Sequence, residues 1–160
     1  MLKQRIVGMG ILTLTACACG GPGVDRSGER PPDERLADVI YTQTSSMPGG
    51  YQFAVHVSSP DTGCERYANW WEVIGEDGTL LYRRVLNHSH VDDQPIVRAG
   101  GPVVVDPDAT IFVRAHMHPG GYGGKAMKGS VNAGFEPVEL PADFAAGLAT
   151  EPPQPERCKR

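Results

Sequence analysis

Between residues 36 and 146, hydrophobic positions recur with a period of two, and no stretch sustains the helical period of 3.6. The clearest stretch is 51–58, where apolar positions alternate with polar or small ones. Its apolar positions are Tyr51, Phe53, Val55 and Val57. Because successive side chains of a strand point to opposite faces, this pattern predicts a strand with one face in a core.

The same reasoning predicts the other elements. Residues 69–87 predict a hairpin, because Asp77-Gly78 separates two apolar runs. Pro137 favours an edge position for the last strand, since proline donates no amide hydrogen bond. A single helical turn is predicted at 142–148. The remaining predicted strands are 38–44, 102–106, 110–117 and 135–140.

About seven short strands, separated by turns and spread over roughly one hundred residues, predict an all-β fold, an immunoglobulin-like β-sandwich. We expect the domain to occupy residues 36–146 and a Pro-rich tail to occupy residues 147–160. Trp70 or Trp71 is expected to fill the core from a central strand.

The N-terminal residues predict that the protein is exported and anchored by a lipid. Residues 1–16 combine a basic start, a short apolar run and small residues before Cys17, which is typical of a secretory signal peptide. The sequence Leu-Thr-Ala-Cys ending at Cys17 resembles the lipobox of bacterial lipoproteins. This resemblance implies that Cys17 is the lipid-bearing first residue of the mature chain, and that Ala18 directs it to the outer membrane, facing the periplasm. Residues 17–35, rich in Gly, Pro and charge, predict a flexible tether.

Charge and cysteine content refine this picture. The chain after residue 16 carries 13 Lys and Arg against 19 Asp and Glu, a formal charge of −6. This balance argues against a nucleic-acid partner and against electrostatic docking to anionic lipid, so the membrane would be reached through the lipid. In an oxidising compartment we expect a Cys64–Cys158 disulfide, which would pin the tail. Cys19 would be a free thiol, a modified cysteine or an alternative lipidation position, since sequence alone does not prove disulfide connectivity.

Candidate chemistry resides in two His-X-His pairs, His88/His90 and His116/His118. Residues i and i+2 of a strand share a face, and both pairs fall where a predicted strand ends. On adjacent strands, about 4.8 Å apart, the pairs would converge on one copper or zinc ion. Asp92 and Asp93 would then orient the imidazoles, or simply form a solvated turn. Met127 is a weaker candidate for a soft axial ligand.

The alternative is that both pairs are polar loop ends, because His-X-His also occurs in surface loops. The loops 88–95 and 118–125 would then contact another envelope protein or a glycan, with Tyr122 exposed as a contact residue. One of the arginines Arg83 and Arg84 is expected to pair with Glu72 or Asp92 at the surface. No Gly-X-Ser-X-Gly elbow occurs, so the sequence argues against an enzyme and leaves a metal-dependent enzyme as a third hypothesis.

Two further resemblances involve these residues. The stretch His-Met-His-Pro-Gly-Gly from His116 is similar to the copper-ligand strand of copper/zinc superoxide dismutases, but that family's other ligands have no counterpart here, so dismutase activity is not implied. Residues 70–124, with "WWEV", "LLYRR", "HSHV" and "RAHMHP", resemble small bacterial lipoproteins with no named function. The sequence thus predicts a lipid-anchored envelope protein that binds copper or zinc, with the non-enzymatic interaction module as alternative.

Overall fold

The computed structural model describes residues 35–159, so the predicted signal peptide, Cys17 and Cys19 lie outside the described residues, as does all but the last residue of the predicted tether. The described chain forms eight strands and one short 3-10 helix, Ala146–Thr150. The strands are β1 (Asp38–Met47), β2 (Gly50–Ser58), β3 (Tyr67–Gly75), β4 (Leu80–Val85), β5 (Ile96–Val103), β6 (Ile111–His118), β7 (Ala126–Ser130) and β8 (Gly134–Val138).

The strands form two antiparallel sheets, a three-stranded sheet in the order β1-β2-β5 and a five-stranded sheet in the order β4-β3-β6-β7-β8. The first, second and fifth strands thus lie in one sheet and the third, sixth and seventh in the other, as strands A, B, E and C, F, G do in immunoglobulin domains. The predicted all-β, immunoglobulin-like sandwich is confirmed, with eight strands in the described chain instead of about seven.

Three local predictions need correction. The strand predicted at 102–106 is β5, which begins earlier at Ile96, because Gly100-Gly101-Pro102 interrupts the alternation that would have revealed it. Strand β7 was missed, since Ala126–Ser130 contains no β-branched residue, and it forms because β6 and β8 pair with its two edges. The helical turn lies at Ala146–Thr150 instead of 142–148. The edge position of the strand containing Pro137 is confirmed.

The core lies between the two sheets, and the alternating positions of the sequence supply it. Phe53, Val55 and Val57 of β2 have no exposed surface, and Trp71 of β3 packs with them in the same cluster. Trp71 therefore fills the core, whereas Trp70 points to the opposite face of its sheet and is buried there, 2% exposed, by other contacts. Met127 also belongs to the core, which removes it as a candidate ligand.

The outer face of the five-stranded sheet is covered by residues 141–159, which we call the C-terminal segment. Two arginines of the sheet, Arg83 and Arg114, donate hydrogen bonds to its main-chain carbonyls. Its far end is held by the Cys64–Cys158 disulfide, so the predicted bridge is confirmed. Strand β3 is consequently buried on both faces from Tyr67 to Ile74. The predicted tail therefore packs as part of the folded domain.

One end of the sandwich, which we call the histidine rim, is formed by the loops 59–66, 86–95 and 119–125. Residue Arg35 also lies there, because its carbonyl accepts a hydrogen bond from Arg66. Gly124 is required at this rim, since a Cβ atom on it would lie 2.0 Å from the carbonyl oxygen of Ala37. Gly120, where a Cβ atom would lie 2.5 Å from Leu36, and Gly124 thus let the loop pack against the incoming chain.

Candidate functional site

Both histidine pairs reach the histidine rim. Val85, the last residue of β4, and His116 of β6 both pair with Trp70 of β3, so the two strands end on the same side of the molecule. However, β3 runs between β4 and β6. His88 and His90 follow β4, whereas His116 and His118 lie in β6. The two pairs thus belong to strands two positions apart in the sheet, and not to adjacent strands as the metal prediction required.

His116 is a buried, stacked residue. Its ring lies parallel to that of Trp70, with centroids 3.8 Å apart and planes 10° apart. Its Nδ1 lies 2.7 Å from Oδ1 of Asn69, so Nδ1 carries the proton and donates it. Burial, together with the nearby cations Arg83 and Arg114, lowers the pKa of His116 to about 4. The imidazole is thus neutral at pH 7 and serves the packing of the sheet.

The other three histidines of the pairs are separated in their contacts. Nε2 of His90 lies 2.7 Å from Nη2 of Arg98, and a guanidinium only donates, so the Nε2 lone pair of His90 is already used. Burial first, and then the charge of Arg98, lowers the pKa of His90. His88 forms a parallel bridge with Lys159 of the C-terminal segment. His118 is exposed, with its ring 6.0 Å from that of Tyr67.

Within residues 35–159, no three His, Cys, Asp or Glu side chains form a group that could hold a metal ion. Asp92 and Asp93, predicted to orient the imidazoles, are both exposed. The carboxylate that organises this loop is Asp61, which the sequence argument overlooked. It accepts hydrogen bonds from the amides of Ala68 and His90 at 3.0 and 2.8 Å. The metal prediction gains no support from this geometry.

A different cluster lies at the centre of the five-stranded sheet. The Glu72 side chain is fully buried and lies between two arginines. Arg83 donates from Nε and Nη2 to Oε2 at 2.8 and 2.7 Å, and Arg114 donates from Nε to Oε1 at 2.8 Å. Of the predicted pairings of Arg83 or Arg84 with Glu72 or Asp92, the structure contains Arg83 with Glu72. The predicted surface position of this pair is wrong, because the C-terminal segment covers the pair.

The remaining guanidinium hydrogens hold the C-terminal segment in place. Arg83 donates to the carbonyls of Leu148, Glu151 and Pro153, and Arg114 donates to those of Phe144 and Ala145. Charge-assisted bonds of this kind are stronger than those between neutral groups. Two cations thus hold one segment of main chain across the sheet, with a single carboxylate compensating part of their charge.

Aromatic rings complete this cluster, and they correct the prediction for Tyr122. The guanidinium of Arg114 lies 3.5 Å from the ring centroid of Tyr122, and that of Arg83 lies 4.5 Å from the ring of Trp70. Tyr122 is thus half-buried, and not the exposed contact residue expected from its glycine neighbours. Burial first, and then the charge of Glu72, raises the pKa of its hydroxyl to about 12.

The clamped segment forms one wall of a groove at the end of the sandwich opposite the histidine rim. The groove has a volume of about 420 Å³ and runs between the β3–β4 turn and the C-terminal segment. Its lining is mostly apolar, and Glu151 contributes its single charged side chain. The lining residues are Gly78, Leu80, Ala145, Gly147, Leu148, Glu151 and Pro152. A mostly apolar concave surface with few polar groups is typical of ligand sites.

The turn at this groove has a simple sequence origin. Gly78 adopts a φ of +84°, which favours glycine, and Oδ1 of Asp77 accepts a hydrogen bond from the amide of Thr79 at 3.0 Å. The Asp-Gly signal therefore placed the hairpin correctly. The other wall could not be foreseen, because it depends on carbonyl groups of the C-terminal segment, which have no side-chain signature.

The chain is similar in sequence to a protein that is described as a lipoprotein. It is 33% identical, over 133 residues, to a Halomicrobium mukohataei protein described as "Putative lipoprotein". The aligned segment covers 76% of this chain and 66% of that protein, slightly less than two thirds of its length. This similarity supports the lipoprotein class that the N-terminal residues predict.

The other comparisons returned no relatives. No protein-family model matches the chain, and no solved structure matches it. Across residues 35–159, no helix is long and apolar enough to span a bilayer.

Proposed function

We propose that this chain is a lipid-anchored binding module of the cell envelope, which takes an extended peptide segment of another envelope protein into the groove beside Leu80. The observation that carries this proposal is the groove itself. Its far wall, the C-terminal segment, is held by Arg83 and Arg114, which we call the arginine clamp. A wall held by Arg83 is already in its binding position, so little conformational freedom is lost when a ligand enters. The lipid attachment at Cys17 belongs to the same proposal.

The shape and chemistry of the groove favour a peptide. Leu80 begins strand β4, which lies at an edge of its sheet and pairs only with β3. An edge strand offers main-chain groups to an added strand, while neighbouring pockets select its side chains. Leu148 and Pro152 supply apolar contacts, and Glu151 favours a Lys or Arg on the ligand. Metal binding is not part of this proposal, because no group of described His, Cys, Asp or Glu side chains could hold a metal ion.

Selection from a random peptide library on the immobilised full-length protein tests this function. We expect enriched peptides to combine apolar residues with a Lys or Arg, and to bind with micromolar dissociation constants in calorimetric titration. Leu80→Asp and Glu151→Lys should each weaken binding at least tenfold. Val104→Asp is the matched control, since Val104 is 77% exposed and lies at the end of β5, outside the groove.

The fold of each variant is checked by its melting temperature. If no peptide is enriched, or if the enriched peptides bind both groove variants as tightly as the wild type, the proposed function is wrong.

A further inference from the structure

The outer face of the three-stranded sheet carries exposed apolar side chains. Ile40 and Tyr41 on β1 are 46% and 50% exposed, and Val97 on β5 is 43% exposed. The register places Tyr41, His56 and Val97 in one row across the sheet, because Tyr41 pairs with His56 and His56 with Val97. A bulge between Val39 and Tyr41 brings Ile40 to the surface beside this row.

This row lies at the histidine rim. His56 is two residues from the end of β2, and Val97 is the second residue of β5. Val91, on the rim loop 86–95, is a further apolar side chain and is 51% exposed. We call Ile40, Tyr41, Val91 and Val97 the rim patch. These residues lie at the end of the sandwich where the chain continues towards its N-terminus, because Arg35 is held there by Arg66.

The position of the N-terminal chain indicates how far the rim patch lies from the membrane. Cys17, the predicted lipid site, precedes Arg35 by 18 residues, which span at most roughly 60 Å when fully extended. A lipid at Cys17 would therefore keep the histidine rim within this distance of the bilayer surface. A contact that forms within one anchored molecule benefits from a high effective concentration, so even a small apolar surface is populated.

The size and charge of the rim patch also favour a membrane over a protein partner. Four apolar side chains are too few for a stable interface with a freely diffusing protein, which buries on the order of 1,000 Å² or more. The rim also carries both charge signs, with Asp92 and Asp93 against Lys125 and Lys159, so neither sign dominates. Tyrosine is enriched at membrane–water interfaces because its ring is apolar and its hydroxyl is polar.

We propose that the rim patch inserts into the interface of the phospholipid bilayer to which the protein is anchored. The contact is apolar, and it holds the histidine rim against the membrane and the groove beside Leu80 away from it. This inference rests on the lipid anchor of the proposed function, but it does not require that the groove binds a peptide.

Photo-crosslinking in the full-length lipidated protein tests the contact. Three proteins are prepared, in which p-benzoylphenylalanine replaces Tyr41, Val97 or Val104, and each is reconstituted into phosphatidylethanolamine vesicles. Val104 is the matched control, because it is also an exposed apolar residue of the same sheet region but follows the far end of β5. Melting temperatures and vesicle sedimentation verify that each variant is folded and anchored.

We expect irradiation to produce phospholipid adducts at positions 41 and 97 at least fivefold more often than at position 104, as measured by mass spectrometry. Equal yields at all three positions would overturn the proposal. So would adducts at 41 and 97 with another protein in intact cells, or with a second copy of the chain in vesicles, because these outcomes assign the patch to a protein partner. Failure to sediment would refute the anchor shared with the proposed function, whereas failed peptide selection would leave this inference intact.

Discussion

At the scale of single residues, Glu72 shows how burial changes the contribution of an ion pair to stability. The sequence predicts that Arg83 or Arg84 pairs with Glu72 or Asp92, and such a pair at the surface would contribute little to stability. In the structure the side chains of both residues are inaccessible to solvent, and Arg114 adds a second cation. Removing one partner of such a buried cluster leaves uncompensated charge, which costs far more than a surface pair contributes.

We therefore expect Glu72→Ala to lower the free energy of unfolding by about 3–5 kcal/mol, because Arg83 and Arg114 would remain buried without their carboxylate. The control is Glu76→Ala in the exposed β3–β4 turn, which should change it by less than about 0.5 kcal/mol. Urea unfolding measures both. Similar losses for the two variants would show that the buried cluster is not structurally important.

His116 predicts a pH dependence of stability. Its pKa is about 4 in the folded protein and 6.5 when unperturbed. Between pH 6.5 and pH 4, His116 is therefore protonated in the unfolded chain but neutral in the folded protein. Stability from this residue is present above pH 6.5 and is lost as the pH falls towards 4. From pH 7 to pH 4.5, the wild type should lose on the order of 2 kcal/mol more than His116→Phe.

Urea unfolding of both proteins at the two pH values measures this difference, and the carboxylates and His90, common to both, largely cancel. An equal loss in the two proteins would mean that His116 is not held neutral by its surroundings.

At the scale of elements, the sequence predicted those strands that carry an alternating pattern or an apolar run bounded by a turn. Strand β2 and the β3–β4 hairpin follow from alternation and from Asp77-Gly78. Strand β7 could not be predicted because its pairing, and not its residue types, makes it a strand. The C-terminal segment is rich in Ala and Pro, and its order depends on arginines located 30 or more residues away in sequence.

The C-terminal segment is further held by the disulfide, which closes a loop with a sequence separation of 94 residues. The double variant Cys64→Ser/Cys158→Ser should lose about 2–4 kcal/mol of unfolding free energy, because its unfolded chain is less restricted. The wild type measured in reductant should match the variant. Thermal or urea unfolding compares them, and an unchanged stability would show that the arginine clamp alone fixes the segment.

At the scale of the whole molecule, the two ends of the sandwich carry different features. The incoming chain, the disulfide and the exposed rim patch lie at the histidine rim, and the groove lies at the opposite end. The sequence located the histidine pairs at strand ends that do share a rim. Whether the strands were neighbours could not be deduced from it, because strand order depends on long-range pairing and β3 runs between them.

The central claim is that the clamped groove is the site at which this anchored module binds its ligand. Titration of the 15N-labelled protein with a peptide enriched in the library selection tests it most directly. We expect the largest amide shifts at Gly78, Gly147 and Leu148, which line the groove, and none of similar size in the loop 119–125. Shifts concentrated in that loop or in 86–95 would place binding at the histidine rim and contradict the account.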